Sequence, residues 1–360
     1  MVNPINPRYT SYIRSPETPK LNTVASFAQQ WAKKYVQTQD GDFQKSDVST
    51  TSHQKHKSRF AKRLENAEHL SHSLRLAVSQ AWSKTEMILA VAIKQNQIDP
   101  QLVNGWEIAA DAHKIYEKVL EFYADGETPE ALAAAVGKEL VNLTQCYRTP
   151  DPRVLGFVNL LFHHTGLLLL QEVSGAEQAL LGNYIKVIED HLNMPLVRLY
   201  DAAGTHSADS PALLAVIQLL PAISEIAQIV SGRIQKMYPN YRTFTGKLSD
   251  DIVSRSSLRD IEMFQVYLWT CVLEGNLSAI TEELFPLCVL LYPALKVDWE
   301  LVRQMLYLLA QEISGHLSEE SRSFFVPYFS ACWEMFSPEV FATENKQETS
   351  IEGLGNWVAG

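Results

Sequence analysis

The chain has 360 residues, 46% apolar and 20% charged, which places it among folded globular proteins and sets aside the disordered and fibrous classes. A net charge of −10 repels nucleic acid and anionic lipid over the surface as a whole, so either would have to be met by a local patch. The charge is unevenly spread: residues 1–90 carry 13 Lys and Arg against 7 Asp and Glu, and residues 91–360 carry 18 against 34.

Residues 1–20 hold Pro4, Pro7, Pro16 and Pro19 without apolar periodicity and read as a flexible arm. Within 21–55, Phe27, Trp31 and Tyr35 recur every four residues and predict a docking helix over 22–37, packed on the body or on another chain and followed by a polar linker. From 57 the stripe Phe60, Leu64, Leu70, Leu74, Val78 and Trp82, continued by Met87, Ile88, Val91 and Ile93, predicts a helix or helix pair of about forty residues with a break allowed near Ser83. Pro100 opens the next helix, whose Val103, Trp106, Ala110, Val119 and Phe122 lead to a stop at Asp125 and Gly126. Residues 56–125 thus form a basic helical amino-terminal part, and 126–342 an acidic helical domain.

Within that domain Thr128–Pro129, Asp151–Pro152 and Ser210–Pro211 each set a capping oxygen before a first-turn proline. Ser174 with Glu177 has the spacing of a capping box. Pro221 predicts a kink in a helix over 211–237, and 238–248 is the longest non-helical stretch. Further helices follow to Gly275, over 278–291, after Asp298, and over 319–335, before a flexible polar tail at 343–360 with an isolated Trp357. No alternating strand pattern occurs. The expected fold is all-α, an irregular bundle of about ten helices without a significant sheet.

The apolar runs 154–170 and 284–295 are broken by Asn159, His163 and His164, or by Pro286 and Pro293, so no membrane span is expected. The first thirty residues lack a secretion signal, and the cytoplasm is the expected location. Cys146, Cys271, Cys288 and Cys332 read as separate buried thiols in a reducing compartment.

No nucleophile elbow, dinucleotide fingerprint, phosphate-cradling loop, HExxH or ExxH sequence is present, so no catalytic residue and no cofactor are assigned. Glu65, Glu68, His69 and His72 share one side of two helical turns and are the best metal-capable face, although Glu and His on a solvated face are ordinary. His163 and His164, in the most apolar helix, could ligate a tetrapyrrole, pigment or metal, or be hydrogen-bonded core histidines; being about 100° apart, only one could face a ligand. Glu189, Asp190 and His191 read as solvated helix surface, and Glu300 with Arg303 as a surface pair.

Lys55, Lys57, Arg59, Lys62 and Arg63 put positive charge at a helix start, where it opposes the dipole. They point to an external anion: an acidic partner surface, nucleic-acid phosphate, or the protein's own acidic body. Arg233, Lys236, Tyr238, Tyr241, Arg242, Phe244 and Lys247, continued by Arg255 and Arg259, interleave basic and aromatic residues as single-strand binders do. The alternative is that these rings pin a loop onto the core.

The stretch MYPNYRTFTGKLSDDIVSRSSLRDIEMFQVYLWTCVLEGN at 237–276, with DPRVLGFVNLLFHHTG before it and WELVRQMLYLL after it, resembles a cyanobacterial family of conserved helical proteins over about 150–340. The resemblance implies a cytoplasmic protein of a photosynthetic prokaryote and carries no functional residue. The expected function is that of a non-enzymatic regulatory, adaptor or assembly protein acting through protein partners, a second copy among them. The alternatives are a ligand-binding bundle with its pocket at His163 or His164, and a nucleic-acid-binding regulator.

Overall fold

The structure, a computed structural model, describes Phe27, Trp31 and residues 52–341, with the backbone alone for 52–60. The arm 1–20, Tyr35, most of the linker and the tail 343–360 lie outside the described residues, as do the side chains of Lys55, Lys57 and Arg59. The described chain is helical as expected, with no strand; one isolated antiparallel bridge joins Arg242 and Lys247.

The first helix, α1 (Ser52–Gln95), is unbroken. Ser83 does not interrupt it, because its hydroxyl donates back to the Ser79 carbonyl at 3.1 Å within the helical ladder. Its buried stripe is Ala67, Leu70, Leu74, Ala77, Val78, Ala81, Ile88, Leu89 and Ala92. Leu64, Met87 and Val91, expected inward, are exposed. The alanines between the leucines sit at the correct 3.6-residue phase, and they let α1 lie close to its main neighbour, the apolar helix α4 (Leu155–Gln171).

Between them come a 3-10 turn at Pro100–Leu102, α2 (Gly105–Asp125) and α3 (Pro129–Arg148). Pro100 therefore opens a turn and not the helix, whose start is capped by Asn104. Trp106 falls in the first helical turn at 90% exposure, while Gly105 packs so closely on Trp82 that a Cβ there would lie 2.3 Å from the indole. After α4 follow α5 (Ala176–Asn193), α6 (Leu196–Thr205) and α7 (Pro211–Leu219). The capping box at Ser174 does not form: Gly175, with φ 63°, precedes α5, and the Glu177 carboxylate accepts instead from the Tyr123 hydroxyl at 2.7 Å.

Pro221 converts the middle of 211–237 into a 3-10 turn before α8 (Ile223–Met237). The loop 238–250 leads to α9 (Asp251–Glu274), closed by left-handed Gly275. A π-helical turn, Ala279–Leu284, runs into α10 (Phe285–Ala294), and α11 (Trp299–His316), α12 (Glu319–Ser323) and α13 (Val326–Met335) complete the described chain. The helix expected over 319–335 is thus split in two.

α4 lies among α1, α2 and α5, and α9 among α6, α8 and α13, with α8 also against α11. One continuous apolar cluster runs from Phe27 to Phe336. The change of charge near residue 90 is therefore not a change of packing: α1 spans it and rests on α4. Phe27 meets Tyr200 edge-on at 5.7 Å and Trp31 meets Trp269 at 6.5 Å, so both docking residues are buried on this chain's own α6 and α9. Two stretches, Pro152–Gln171 and Pro211–Met237, are apolar and long enough to cross a bilayer by composition; 78% of the first is buried inside the bundle, against 50% of the second.

Candidate functional site

A concavity of about 1120 Å³ opens between α3, the α5–α6 junction, the end of α9 and the π-helical turn. Its floor is an ion-pair network. Arg198, on α6, places Nε and Nη2 at 2.6 and 2.7 Å from the two carboxylate oxygens of Glu274, and Nη1 at 2.5 Å from Glu283 Oε1. Arg148, in the last turn of α3, reaches the other oxygen of Glu283 at 2.6 Å. Hydrogen bonds from the guanidinium to Glu274, and then to Glu283, raise the pKa of Arg198 further.

Local sequence explains these positions. Gly275 stops α9 directly after Glu274, and Asn276 accepts from the Ser278 amide at 2.8 Å, which turns the chain into the π-helical turn. The wide π turn puts Glu283 inward while Glu282 stays exposed.

Two arginines face two neutralising glutamates, but Asp201 and Glu282, which also line the cleft, are exposed and have no ion-pair partner among the described residues. The lining therefore carries an excess of two negative charges. The threonine hydroxyls around it are already committed: Thr144 donates to Val141 O, Thr149 to Gln145 O and Thr205 to Ala202 O. His191 turns Nδ1 to Val187 O at 2.7 Å, and burial lowers its pKa, so the ring is neutral near pH 7. Burial pushes the thiol of Cys271 up to about 11 and that of Cys288 well above the ordinary range, which keeps both protonated. Cys146, expected to be buried, is exposed at the end of α3.

A second polar region lies inside the bundle. Lys186 binds Asp190 at 3.0 Å and Glu262 at 2.9 Å, and Glu262 also accepts from Ser224 at 2.6 Å. Next to it His163 Nδ1 lies 2.7 Å from Glu189, with Arg259 3.1 Å from the same ring nitrogen. Burial works to raise the Glu189 pKa, but His163 and Arg259 prevail and hold it down to about 2. Of the residues Glu189, Asp190 and His191, expected on a solvated surface, Asp190 is buried and the other two are half-buried, because α5 is covered by α3, α4 and α9.

The other predicted residues are placed as follows. His164 is 3% exposed, and neither ring nitrogen has a hydrogen-bond partner among the described residues. The cavity lined by His163 measures about 30 Å³, the space of a water molecule and far below that of a tetrapyrrole. His69 turns to Glu172 at 3.2 Å and His72 to the Glu68 carbonyl at 2.7 Å, so the metal-capable face does not converge. Among the described residues no group of three His, Cys, Asp or Glu could hold a metal ion.

Lys62 is exposed, whereas Arg63 lies over the Tyr123 ring and 3.7 Å from Glu177, so one member of the basic run is used by the body itself. Four of the nine residues of the basic and aromatic patch are engaged internally. Arg233 binds Glu312 and Gln311, Arg259 is buried in its network, and the Tyr241 hydroxyl accepts from Asp298 N at 2.7 Å and donates to Lys296 O, pinning the loop. Tyr238 packs against Tyr241; Lys236, Arg242, Phe244, Lys247 and Arg255 remain exposed. Glu300 and Arg303 pair at 3.5 Å, and Arg303 stacks on Trp333.

The cleft network escaped sequence reasoning because Arg148, Arg198, Glu274 and Glu283 come from four elements with no linear motif. The interior pair had a signal: Lys186 and Asp190 stand four apart on the apolar side of α5, among Ile185, Val187 and Ile188. Compared with protein-family models, with curated proteins and with solved structures, the chain has no match.

Proposed function

We propose that this chain is a non-enzymatic binding protein, of regulatory, adaptor or assembly type, whose cleft receives a basic segment of a partner protein. The observation that carries the reading is the excess charge of the cleft. Its arginines are already neutralised by Glu274 and Glu283, while Asp201 and Glu282 stand exposed at the opening. A cationic segment entering there pairs with carboxylates that need not be stripped from another partner, and the apolar lining, including Val141, Leu196, Val197 and Pro286, accepts side-chain stems.

At about 1120 Å³ the cleft exceeds the usual range of about 300–1,000 Å³ for small-molecule pockets, which suits a peptide. The test is titration with a lysine- and leucine-containing peptide and with its glutamate counterpart. The basic peptide binds, binding weakens with salt, and the double charge reversal Asp201→Lys with Glu282→Lys lowers affinity by about tenfold or more. Equal binding of the acidic peptide, or no effect of the reversal, rejects the proposal.

A further inference from the structure

The chain between α8 and α9 forms a small basic hairpin. Residues 236–249 include Lys236, Arg242 and Lys247 and no Asp or Glu. Thr243 N donates to Gly246 O at 2.8 Å and Leu248 N to Tyr241 O at 3.4 Å, which leaves Arg242 and Lys247 facing each other as the antiparallel pair between these bonds. That is the closer of the two kinds of antiparallel pairing, and like charges set directly opposite repel. Both side chains are exposed, and neither has an ion-pair partner among the described residues. Phe244, 40% exposed, sits in the turn that joins them. The Phe244 amide donates to Leu295 O at 2.8 Å and the Lys247 amide to Asp250 Oδ2 at 2.8 Å, so the backbone fixes the two cations in place without neutralising them.

The cleft is the complement of this hairpin. It presents two unpaired carboxylates, Asp201 and Glu282, beside the apolar surface of Val141, Leu196, Val197 and Pro286, where the hairpin presents two unpaired cations beside an aromatic ring. The two features stand at opposite ends of α9: Lys247 lies just before its first residue, Asp251, and Glu274, its last, lines the cleft. A helix of 24 residues is about 36 Å long, so the pinned hairpin cannot reach the cleft of its own chain.

We propose that the basic segment received by the cleft is the 242–247 hairpin of a second copy of this chain. This rests on the cleft's proposed affinity for basic segments and names the segment. Because the two surfaces differ and lie at opposite ends of one helix, the contact is heterologous: each copy offers its hairpin to one neighbour and its cleft to another, and the assembly extends head to tail unless a ring closes. One hairpin in one cleft is a small interface, so association is weak and rises with protein concentration.

Sedimentation equilibrium of the full chain over a concentration series tests this. The mean mass of the natural chain is expected to rise above that of the monomer, and an excess of the lysine- and leucine-containing peptide to return it to the monomer. Arg242→Glu with Lys247→Glu, and separately Asp201→Lys with Glu282→Lys, each weaken self-association by about tenfold or more. Mixing the two variants restores it, because each then meets the opposite charge on the other. A natural chain that stays monomeric at every concentration, or a mixture no more associated than its components, overturns the inference. Peptide binding to a chain that stays monomeric leaves the cleft's preference for basic segments intact and removes only the second copy as its occupant, whereas a peptide that does not bind removes both.

Discussion

Replacing His164 by leucine should make the protein more stable, and by an amount that grows as the pH falls. The imidazole is 3% exposed and its ring nitrogens have no hydrogen-bond partner among the described residues, so desolvation first, and then the nearby charges of His163, Lys84 and Arg259, lower its pKa from 6.5 to about 3. The unfolded chain therefore takes up a proton near pH 6.5 and the folded chain only near pH 3. Between those values unfolding is accompanied by proton uptake, stability rises with pH, and the contribution of a neutral His164 is complete above 6.5 and lost on acidification. Each pH unit is worth about 1.4 kcal/mol, which amounts to at most about 3 kcal/mol at about pH 4.5. Leucine removes this linkage and the cost of two buried unpaired nitrogens, so the variant should gain about 1 kcal/mol at neutral pH and about 4 kcal/mol near pH 4.5. Urea unfolding of both proteins at several pH values reads the term, because titrating groups that do not interact with His164 cancel in the difference. A stability gap that does not change with pH would refute the reasoning.

Gly166→Ala sets a methyl group 2.8 Å from Ile185 Cγ2 and 2.9 Å from the Tyr116 hydroxyl, where α4 meets α5 and α2; it should cost about 1–3 kcal/mol in urea unfolding. Trp31→Ala uncovers Trp269 and should destabilise the fold by about 3 kcal/mol while raising the binding of a hydrophobic dye, whereas an unaltered midpoint would show that this contact does not form in solution. Glu283→Gln removes the carboxylate shared by Arg148 and Arg198. It should cost about 1–3 kcal/mol, a value reduced because both arginines are about 30% exposed, and the loss should shrink in Glu283→Asp.

Much of the architecture is legible from periodicity and punctuation. The Thr128–Pro129 cap, the Pro221 interruption, the Gly275 stop and the non-helical stretch after 237 all stand where local chemistry puts them. The error along α1 has a physical cause: alanines at 67, 77, 81 and 92 carry little hydrophobic signal, yet they occupy the tightest contact, while the larger Met87 and Val91 face outward. The site was less legible. Arg198 and Glu274 are 76 residues apart and form a bidentate pair only after α6 packs on α9, and neither residue type is distinctive in a chain with this many charges. The adjacent histidines attracted notice by composition, but packing gives one an ionic network and leaves the other an isolated base.

Hydrogen–deuterium exchange of the full chain, with and without the basic peptide, tests the cleft most directly. The account predicts slower exchange confined to α6 and to the segment from the end of α9 through the π-helical turn, and its disappearance in the Asp201→Lys, Glu282→Lys protein. Protection that appears instead on the exposed face of α1 around Leu76, Met87 and Val91, or that survives the charge reversal, would contradict it.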